Sequence, residues 1–140
     1  MSGTFRHLCL EPLTCPPPAQ IFPPGETPAY SNYGTALAGY IVQRLTGVAF
    51  EDYVAARIFE PMGMQRATFH QPLPEQFESY MSNGYLSAAD GEPQYYEIVP
   101  MAPAGSLAAS GEAMGRFMIG LLERNPDVLA PATWEQMYET

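Results

Sequence analysis

Apolar residues at helical spacing predict a first helix from about Tyr33 to Thr46. The side chains of its apolar face are Leu37, Tyr40, Ile41 and Leu45, which recur at the three- or four-residue spacing of a helix face. Glycine lowers helix stability, so Gly34 and Gly39 within this helix indicate close packing against a neighbouring element. Gly47 is a natural stop, because glycine readily adopts the left-handed conformation that ends many helices.

A second helix is predicted from about Phe50 to Phe59, and Pro61 ends it. The residues on its helical repeat are Phe50, Tyr53, Val54, Arg57 and Ile58. Glu51 and Asp52 occupy the first turn, where the helix dipole favours anions. The preceding Ala49 is a poor cap, because its side chain carries no hydrogen-bond acceptor.

Two further helices are predicted in the last third of the chain. Ser110 is a good cap for the first of them, and Glu112 lies in its first turn. Its apolar stripe consists of Met114, Phe117, Met118, Leu121 and Leu122, and we interpret the methionines as core residues. A short final helix is predicted to begin at Pro131. The side chains that it should carry inward are Trp134, Met137 and Tyr138.

The segment between the second and third helices predicts only short β structure. One short strand is expected at residues 67–70. Residues 84–86 and 94–99 are predicted to pair as a hairpin across Asp90-Gly91. Asn83-Gly84 is a rival turn, so the register of this pairing stays open. The predicted fold class is therefore mainly α with a small β-hairpin.

Composition narrows the classes of partner. The 140 residues make one domain or a piece of one, and their formal net charge is −9. That charge argues against nucleic acid and anionic membranes as partners. No apolar run approaches the length of a membrane span, and residues 1–18 lack the apolar core of a secretory signal.

Residues 1–20 are predicted to be an irregular tail, with residues 21–140 forming the domain. The spacing of Cys9 and Cys15 permits a disulfide without requiring one. His7 and His70 are isolated from other metal-binding side chains and are interpreted as surface or loop residues. This pattern does not indicate a metal site, and no organic cofactor is implied either.

A proline- and glycine-rich loop runs directly into Tyr30-Ser31-Asn32 at the start of the first helix. Either Ser31 or Asn32 can cap that helix, because both are short polar side chains that accept a backbone N–H bond. Tyr30 lies on the loop side of the cap, where it can face a cleft. The commoner structure for such a junction is a capped helix with a core tyrosine, and the alternative is a functional site.

Four segments together resemble the serine β-lactamase-like family, which includes class C β-lactamases, penicillin-binding DD-peptidases and related esterases. Residues 23–26 (Pro-Pro-Gly-Glu) and 30–39 (Tyr-Ser-Asn-Tyr-Gly-x-x-Leu-x-Gly) resemble the region around the family's Tyr-x-Asn motif. Residues 58–64 (Ile-Phe-Glu-Pro-Met-Gly-Met) and 104–110 (Ala-Gly-Ser-Leu-Ala-Ala-Ser) extend the resemblance. It covers roughly residues 20–140.

The resemblance implies both a fold and a site. The chain would be the helical domain and adjoining connection of the family's α+β fold, with the central sheet largely missing. In the family a serine within Ser-x-x-Lys forms an acyl-enzyme, and a lysine and the tyrosine of Tyr-x-Asn share the proton transfers. Tyr30 matches that tyrosine, and Asn32 matches the asparagine that orients substrate. Ser31 is the variable middle residue and not the nucleophile.

The chain departs from the family pattern because it contains no lysine. Ser-x-x-Lys and Lys-Thr-Gly are therefore both absent. Its six basic residues are all arginine, which stays protonated and cannot accept the proton. We therefore expect a middle fragment of a serine hydrolase that is inactive alone. The substrate of the full-length family would be an amide or ester: a β-lactam, a D-alanyl peptide or a small ester.

Two other functions remain open at this stage. The chain can be a non-catalytic binding or scaffold module that reuses the helical fold, with its exposed apolar surface covered by self-association. It can also be a different hydrolase with Ser106 or Ser110 as nucleophile. Neither serine has a paired histidine or lysine in the local sequence, and Ser110 is more simply a helix cap.

Overall fold

The computed structural model describes residues 17–87, 89, 91–99 and 101–139. Most of the predicted tail, including Cys9, Cys15 and His7, lies outside the described residues, as does Asp90 of the predicted hairpin turn. Residues 17–20 are exposed and have no regular secondary structure.

Helices dominate the described part of the chain, and two very short strands pair with each other. In chain order the elements are α1 (Asn32–Thr46), α2 (Phe50–Val54), a π-helix (Ala55–Phe59), β1 (Ala67–Thr68), α3 (Glu75–Glu78), β2 (Ala108–Ala109), α4 (Gly111–Leu122) and α5 (Pro131–Tyr138). The predicted class, mainly α with a small antiparallel β element, is confirmed.

Helix α1 ends as its sequence predicts. Gly47 has φ 71°, and its N–H donates to the carbonyl of Gln43 at 2.9 Å. The exposed fractions of Ile41 and Leu45 are 49% and 82%, so the predicted apolar face is not the buried one. Within this helix the buried positions are instead Ala36 and Gly39. Small residues face inward because the helix approaches its neighbours too closely for large side chains.

Gly39 sets that close approach. A Cβ atom at this position would lie 2.6 Å from Cδ of Pro103 and 3.3 Å from Cδ2 of Phe50. The predicted close packing at Gly39 is thus confirmed. A Cβ at Gly34 would meet only the Ser31 side chain, at an ordinary 3.6 Å. Gly34 therefore does not pack against a neighbouring element, and that part of the prediction is wrong.

The second predicted helix is continuous but changes its winding after Val54. It begins as α2 and widens into the π-helix, where the N–H of Glu60 donates to the carbonyl of Ala55 at 2.9 Å. Ala49 provides no side-chain cap, as expected. The widened turn leaves Phe59 buried in the core.

The core lies between the second helical segment, β1, the start of α4 and α5. Its buried members are Val54, Phe59, Met62, Met64, Ala67, Ala113 and Trp134. The Phe69 ring stacks on the Phe59 ring with centroids 5.8 Å apart and meets the Phe50 ring edge-on at 5.3 Å. These aromatic contacts join the helical segment to the residue that follows β1.

The antiparallel pairing joins segments that are distant in sequence. Ala67 in β1 pairs with Ala109 in β2, which confirms a short strand within residues 67–70. The expected hairpin is reduced to one antiparallel bridge between Gly84 and Gln94. Residues around this bridge are exposed on both sides, so no buried face extends the ladder.

Helix α4 begins where predicted, but the methionines of its stripe do not lie in the core. The exposed fractions of Met114 and Met118 are 39% and 61%, so interpreting them as core residues was wrong. The buried positions are Ala113 and Gly120. A Cβ on Gly120 would lie 3.1 Å from the Met62 side chain, so the helix packs through its smallest residues.

Helix α5 starts at Pro131 as predicted and buries a single side chain. Trp134 is 1% exposed, and its indole N–H donates to the carbonyl of Asn125 at 2.9 Å. Met137 and Tyr138 are about half exposed, which corrects their predicted inward orientation. The Tyr138 hydroxyl instead donates to the carbonyl of Leu121 at 3.1 Å.

Candidate functional site

Ser31 caps helix α1. Its Oγ accepts a hydrogen bond from the Gly34 N–H at 3.1 Å, and its backbone is extended, with φ −142° and ψ 112°. The Ser31 carbonyl also accepts from the Thr35 hydroxyl at 3.0 Å. Asn32 is already the first residue of the helix. The two possible caps are thus distinguished: Ser31 is the cap, and Asn32 has no capping bond.

The residues on either side of the cap project into solvent. Tyr30 is 85% exposed, so the expectation of a core tyrosine is wrong. Asn32 is also exposed. Within the described part of the chain, neither side chain donates or accepts a hydrogen bond. The Tyr30 phenol and the Asn32 amide thus flank one cap without a hydrogen-bond partner among the described residues.

A cavity of about 650 Å³ lies elsewhere, between the β1–β2 pair and the loop at residues 96–99. Its lining includes Arg66, Thr68, Tyr80 and Ser110, and it does not include Tyr30 or Asn32. The guanidinium carbon of Arg66 lies 4.0 Å from the centroid of the Tyr80 ring. The structure thus separates this cavity from the motif at the start of α1.

The Gln71 side chain forms hydrogen bonds with two backbone groups at the wall of that cavity. Its Nε2 donates to the Ser106 carbonyl at 2.9 Å, and its Oε1 accepts from the Val99 N–H at 2.6 Å. These partners are 35 and 28 residues along the chain from Gln71. Sequence reasoning missed Gln71, because a single glutamine in a predicted loop carries no local signal for long-range bonds.

Ser106 and Ser110 are the two serines considered above as alternative nucleophiles. Ser106 is 1% exposed, and its buried Oγ has no hydrogen-bond partner among the described residues. The Oγ of Ser110 accepts from the Ala113 N–H at 3.1 Å, which makes it the cap of α4. A nucleophilic serine needs a hydrogen-bonded base. Neither hydroxyl bonds a described base, so nothing in this geometry supports a different serine hydrolase.

His70 lies on the surface, as predicted. Its Nε2 is 3.1 Å from Oδ1 of Asp52, and both side chains are substantially exposed. Over the residues described, no three histidine, cysteine or acidic side chains come together as a metal cluster. No helix in that part of the chain is long and apolar enough to cross a bilayer.

The sequence of this chain is similar to those of known proteins. A family model described as Beta-lactamase matches residues 12–140. Beta-lactamase-like protein 2 of Dictyostelium discoideum is 28% identical over 119 residues, which are 81% of this chain and 21% of that protein.

Two groups of solved structures share the fold. An octameric penicillin-binding protein homologue from Pyrococcus abyssi is 29% identical with a TM-score of 0.67, over 84% of this chain and 26% of that one. The D-amino acid amidase of Ochrobactrum anthropi, complexed with L-phenylalanine amide, is 27% identical with a TM-score of 0.56, over 80% and 33%.

These coverages show that the chain spans between about a fifth and a third of its relatives' lengths. The family match, in contrast, extends over nearly all of its own residues. The chain belongs to the β-lactamase family, and it corresponds to a fragment of the family's serine hydrolase fold.

Proposed function

We propose that Tyr30 and Asn32 belong to an acyl-transfer site that other segments of a longer protein complete. The observation that carries this proposal is that Ser31 caps α1, while Tyr30 and Asn32 on either side of it do not. Ser31 alone satisfies the helix end, so the phenol and the amide beside it are free to contact substrate. Loop residues positioned by a rigid element commonly carry binding and catalytic side chains, and Tyr30 stands on the loop side of a capped helix.

In this proposal Tyr30 moves a proton and Asn32 orients the substrate. A serine hydroxyl from another segment attacks the substrate carbonyl and loses its proton toward the phenolate. The phenol then returns that proton to the departing amine or alcohol. A nearby ammonium would favour the phenolate form, and this chain contains no lysine. The 140 residues alone are therefore expected to be inactive.

The substrate class is an amide or an ester. Acyl-enzyme formation requires a carbonyl with a leaving group, and both classes provide one. The D-amino acid amidase that shares the fold is complexed with an amide, which supports this class for the longer protein. A β-lactam, a D-alanyl peptide and a small ester all carry the required carbonyl.

The test uses the longer protein that contains this chain. Tyr30→Phe should lower kcat about 10²–10⁴-fold, the usual contribution of a general acid–base group. Its melting temperature should change little, because phenylalanine keeps the ring and its packing and loses only the hydroxyl. Tyr33→Phe, in the first turn of α1, is the matched control and should retain turnover. Full activity of Tyr30→Phe would exclude the proposed role.

A further inference from the structure

The cavity near Arg66 has the size and the lining of a small-molecule site. Its volume of about 650 Å³ lies within the range of ligand pockets, which is about 300–1,000 Å³. The aromatic rings of Phe77, Tyr80 and Tyr96 line it, together with the aliphatic side chain of Leu107. Aromatic rings bury large areas against a flat apolar group. This lining therefore favours a ligand that carries an aromatic ring.

Arg66 is the one basic side chain among the described residues of that lining. Its guanidinium carbon lies 4.0 Å from the centroid of the Tyr80 ring, and this cation–π contact holds the charged group in place. No described carboxylate forms an ion pair with it. A guanidinium binds a carboxylate through two parallel hydrogen bonds, so Arg66 offers the cavity a held partner for such a group.

The Gln71 side chain keeps part of the cavity formed. It bonds to the backbone of Val99, which lines the cavity, and to the backbone of Ser106. Its Nε2 also donates to the Tyr96 hydroxyl oxygen at 3.4 Å. That hydroxyl keeps its own proton, so Tyr96 can donate to an oxygen of the ligand. A wall that is already ordered lowers the entropic cost of binding.

Glu97 is the acidic side chain of the described lining, and it limits what the cavity accepts. Its charge would repel a second anionic group on the ligand. The net charge of the whole chain is −9, which disfavours a polyanion further. A single carboxylate on an aromatic body therefore suits this lining better than a phosphate ester or a dicarboxylate.

We infer that the cavity near Arg66 binds an aromatic monocarboxylate, with its carboxylate on Arg66 and its ring against the aromatic lining. This site goes beyond the proposed acyl transfer and uses neither Tyr30 nor Asn32, because neither residue lines the cavity. Failure of the binding test would leave the role of Tyr30 unaffected. Full activity of Tyr30→Phe would likewise leave this site unaffected.

The test titrates the isotope-labelled 140-residue chain with hydrocinnamate, followed by NMR at about 0.15 M salt, where distant charges are screened. The amide signals of Gly111 and Leu107, which line the cavity, should shift saturably. Those of Gly47 and Gly63, which do not line it, should stay in place. Half-saturation should fall in the millimolar range, which is typical of so small a ligand.

Arg66→Gln should weaken hydrocinnamate binding by about tenfold or more, because it removes hydrogen bonds between two charged groups. The fold should persist, since the Ser110 N–H donates to the backbone carbonyl of Arg66 and not to its side chain. Arg124→Gln is the matched control. Arg124 also lies over a tyrosine ring, 5.2 Å from the centroid of Tyr138, and does not line the cavity. It removes the same charge and should leave the affinity unchanged.

Glu97→Gln should have the opposite effect to Arg66→Gln. It removes a like charge from the lining and should strengthen hydrocinnamate binding by about twofold. Hydrocinnamamide, the neutral analogue with the same ring, should bind the parent chain about tenfold more weakly than hydrocinnamate. Its affinity should not respond to Glu97→Gln. Weaker binding of hydrocinnamate by Glu97→Gln would contradict the inference.

Three further outcomes would overturn it. The first is equal loss of affinity in Arg66→Gln and Arg124→Gln, because only the net charge would then matter. The second is equal affinity for hydrocinnamate and hydrocinnamamide. The third is the absence of saturable shifts in a chain whose helical circular dichroism and buried Trp134 fluorescence show that it is folded. Shifts confined to the cavity, lost in Arg66→Gln and kept in Arg124→Gln, are the expected result.

Discussion

The starts of helices α1 and α4 use the same cap in contrasting surroundings. In each, a serine Oγ accepts a backbone N–H three residues later at 3.1 Å. At α4 that third residue, Ala113, is 2% exposed, and the Ser110 N–H donates to the Arg66 carbonyl. At α1 the third residue, Gly34, is exposed. One cap thus anchors a helix in the core, whereas the other presents its neighbours to solvent.

The largest expected difference between helices α1 and α4 is in their tolerance to added side-chain volume. Ala113→Leu should destabilise the chain by about 1–3 kcal/mol, because it overpacks a buried position. Ala38→Leu, on the exposed side of α1, should change stability by less than about 0.5 kcal/mol. Urea unfolding followed through Trp134 measures both. Similar losses for the two variants would show that the α1 surface is as constrained as the core.

Asn32 offers a sharper separation of folding from function than its sequence position suggests. Since Ser31 is the cap, Asn32→Ala should change stability by less than about 0.5 kcal/mol. In the longer protein it should lower kcat/KM by roughly tenfold, the effect of losing one substrate hydrogen bond. Melting temperature and turnover are measured on the same preparation. A large drop in stability with unchanged turnover would assign Asn32 a structural role instead.

Removing either cap should cost a similar free energy at its own helix end, but only one of the two removals should affect unfolding of the whole chain. Ser110→Ala and Ser31→Ala each remove one capping bond, worth about 1 kcal/mol. The loss at Ser110 should lower the global transition seen by Trp134, because α4 packs in the core. The loss at Ser31 should appear mainly as fraying of the first turn of α1 in amide hydrogen exchange. Equal shifts of the Trp134 transition would refute this distinction.

The smallest effect is a gain in stability. Gly34→Ala should stabilise α1 by about 0.5–1 kcal/mol, because alanine favours the helix and its Cβ makes only an ordinary contact with Ser31. Gly39→Ala is the opposing control, since its Cβ would lie 2.6 Å from Pro103. Thermal unfolding by circular dichroism compares the two. Stabilisation by both substitutions would mean that α1 does not need the close approach at Gly39.

Sequence reasoning predicted the helix boundaries better than the buried faces. Caps and stops are local signals, so Ser110 and Gly47 could be assigned directly. Which apolar face becomes buried depends on elements elsewhere in the chain. Met118 and Leu45 therefore have the right periodicity and still project outward. The chain spans only about a fifth to a third of its relatives' lengths, so the 140 residues do not hold every element of the shared fold.

The candidate motif was identified through residue types, while its geometry required the structure. Tyr30 and Asn32 were singled out because they match a family motif, and their roles remain proposals. Whether Ser31 or Asn32 is the cap depends on whether the helix begins one residue earlier or later, and residue type alone does not decide this. The π-helix is likewise hidden, because its residues have the same periodicity as an ordinary helix over so short a segment.

The two backbone hydrogen bonds of the Gln71 side chain, to Val99 and to Ser106, hold the surface segment around Val99 in place. The Val99 amide is held by Gln71 although no strand or helix contains it. Its hydrogen should therefore exchange with solvent more slowly than those of Tyr95 and other exposed neighbours. Breaking this single link would release the segment as one cooperative unit, while the helices remain folded. The rate at which the Gln71–Val99 hydrogen bond breaks should therefore set how often the wall of the cavity near Arg66 opens locally.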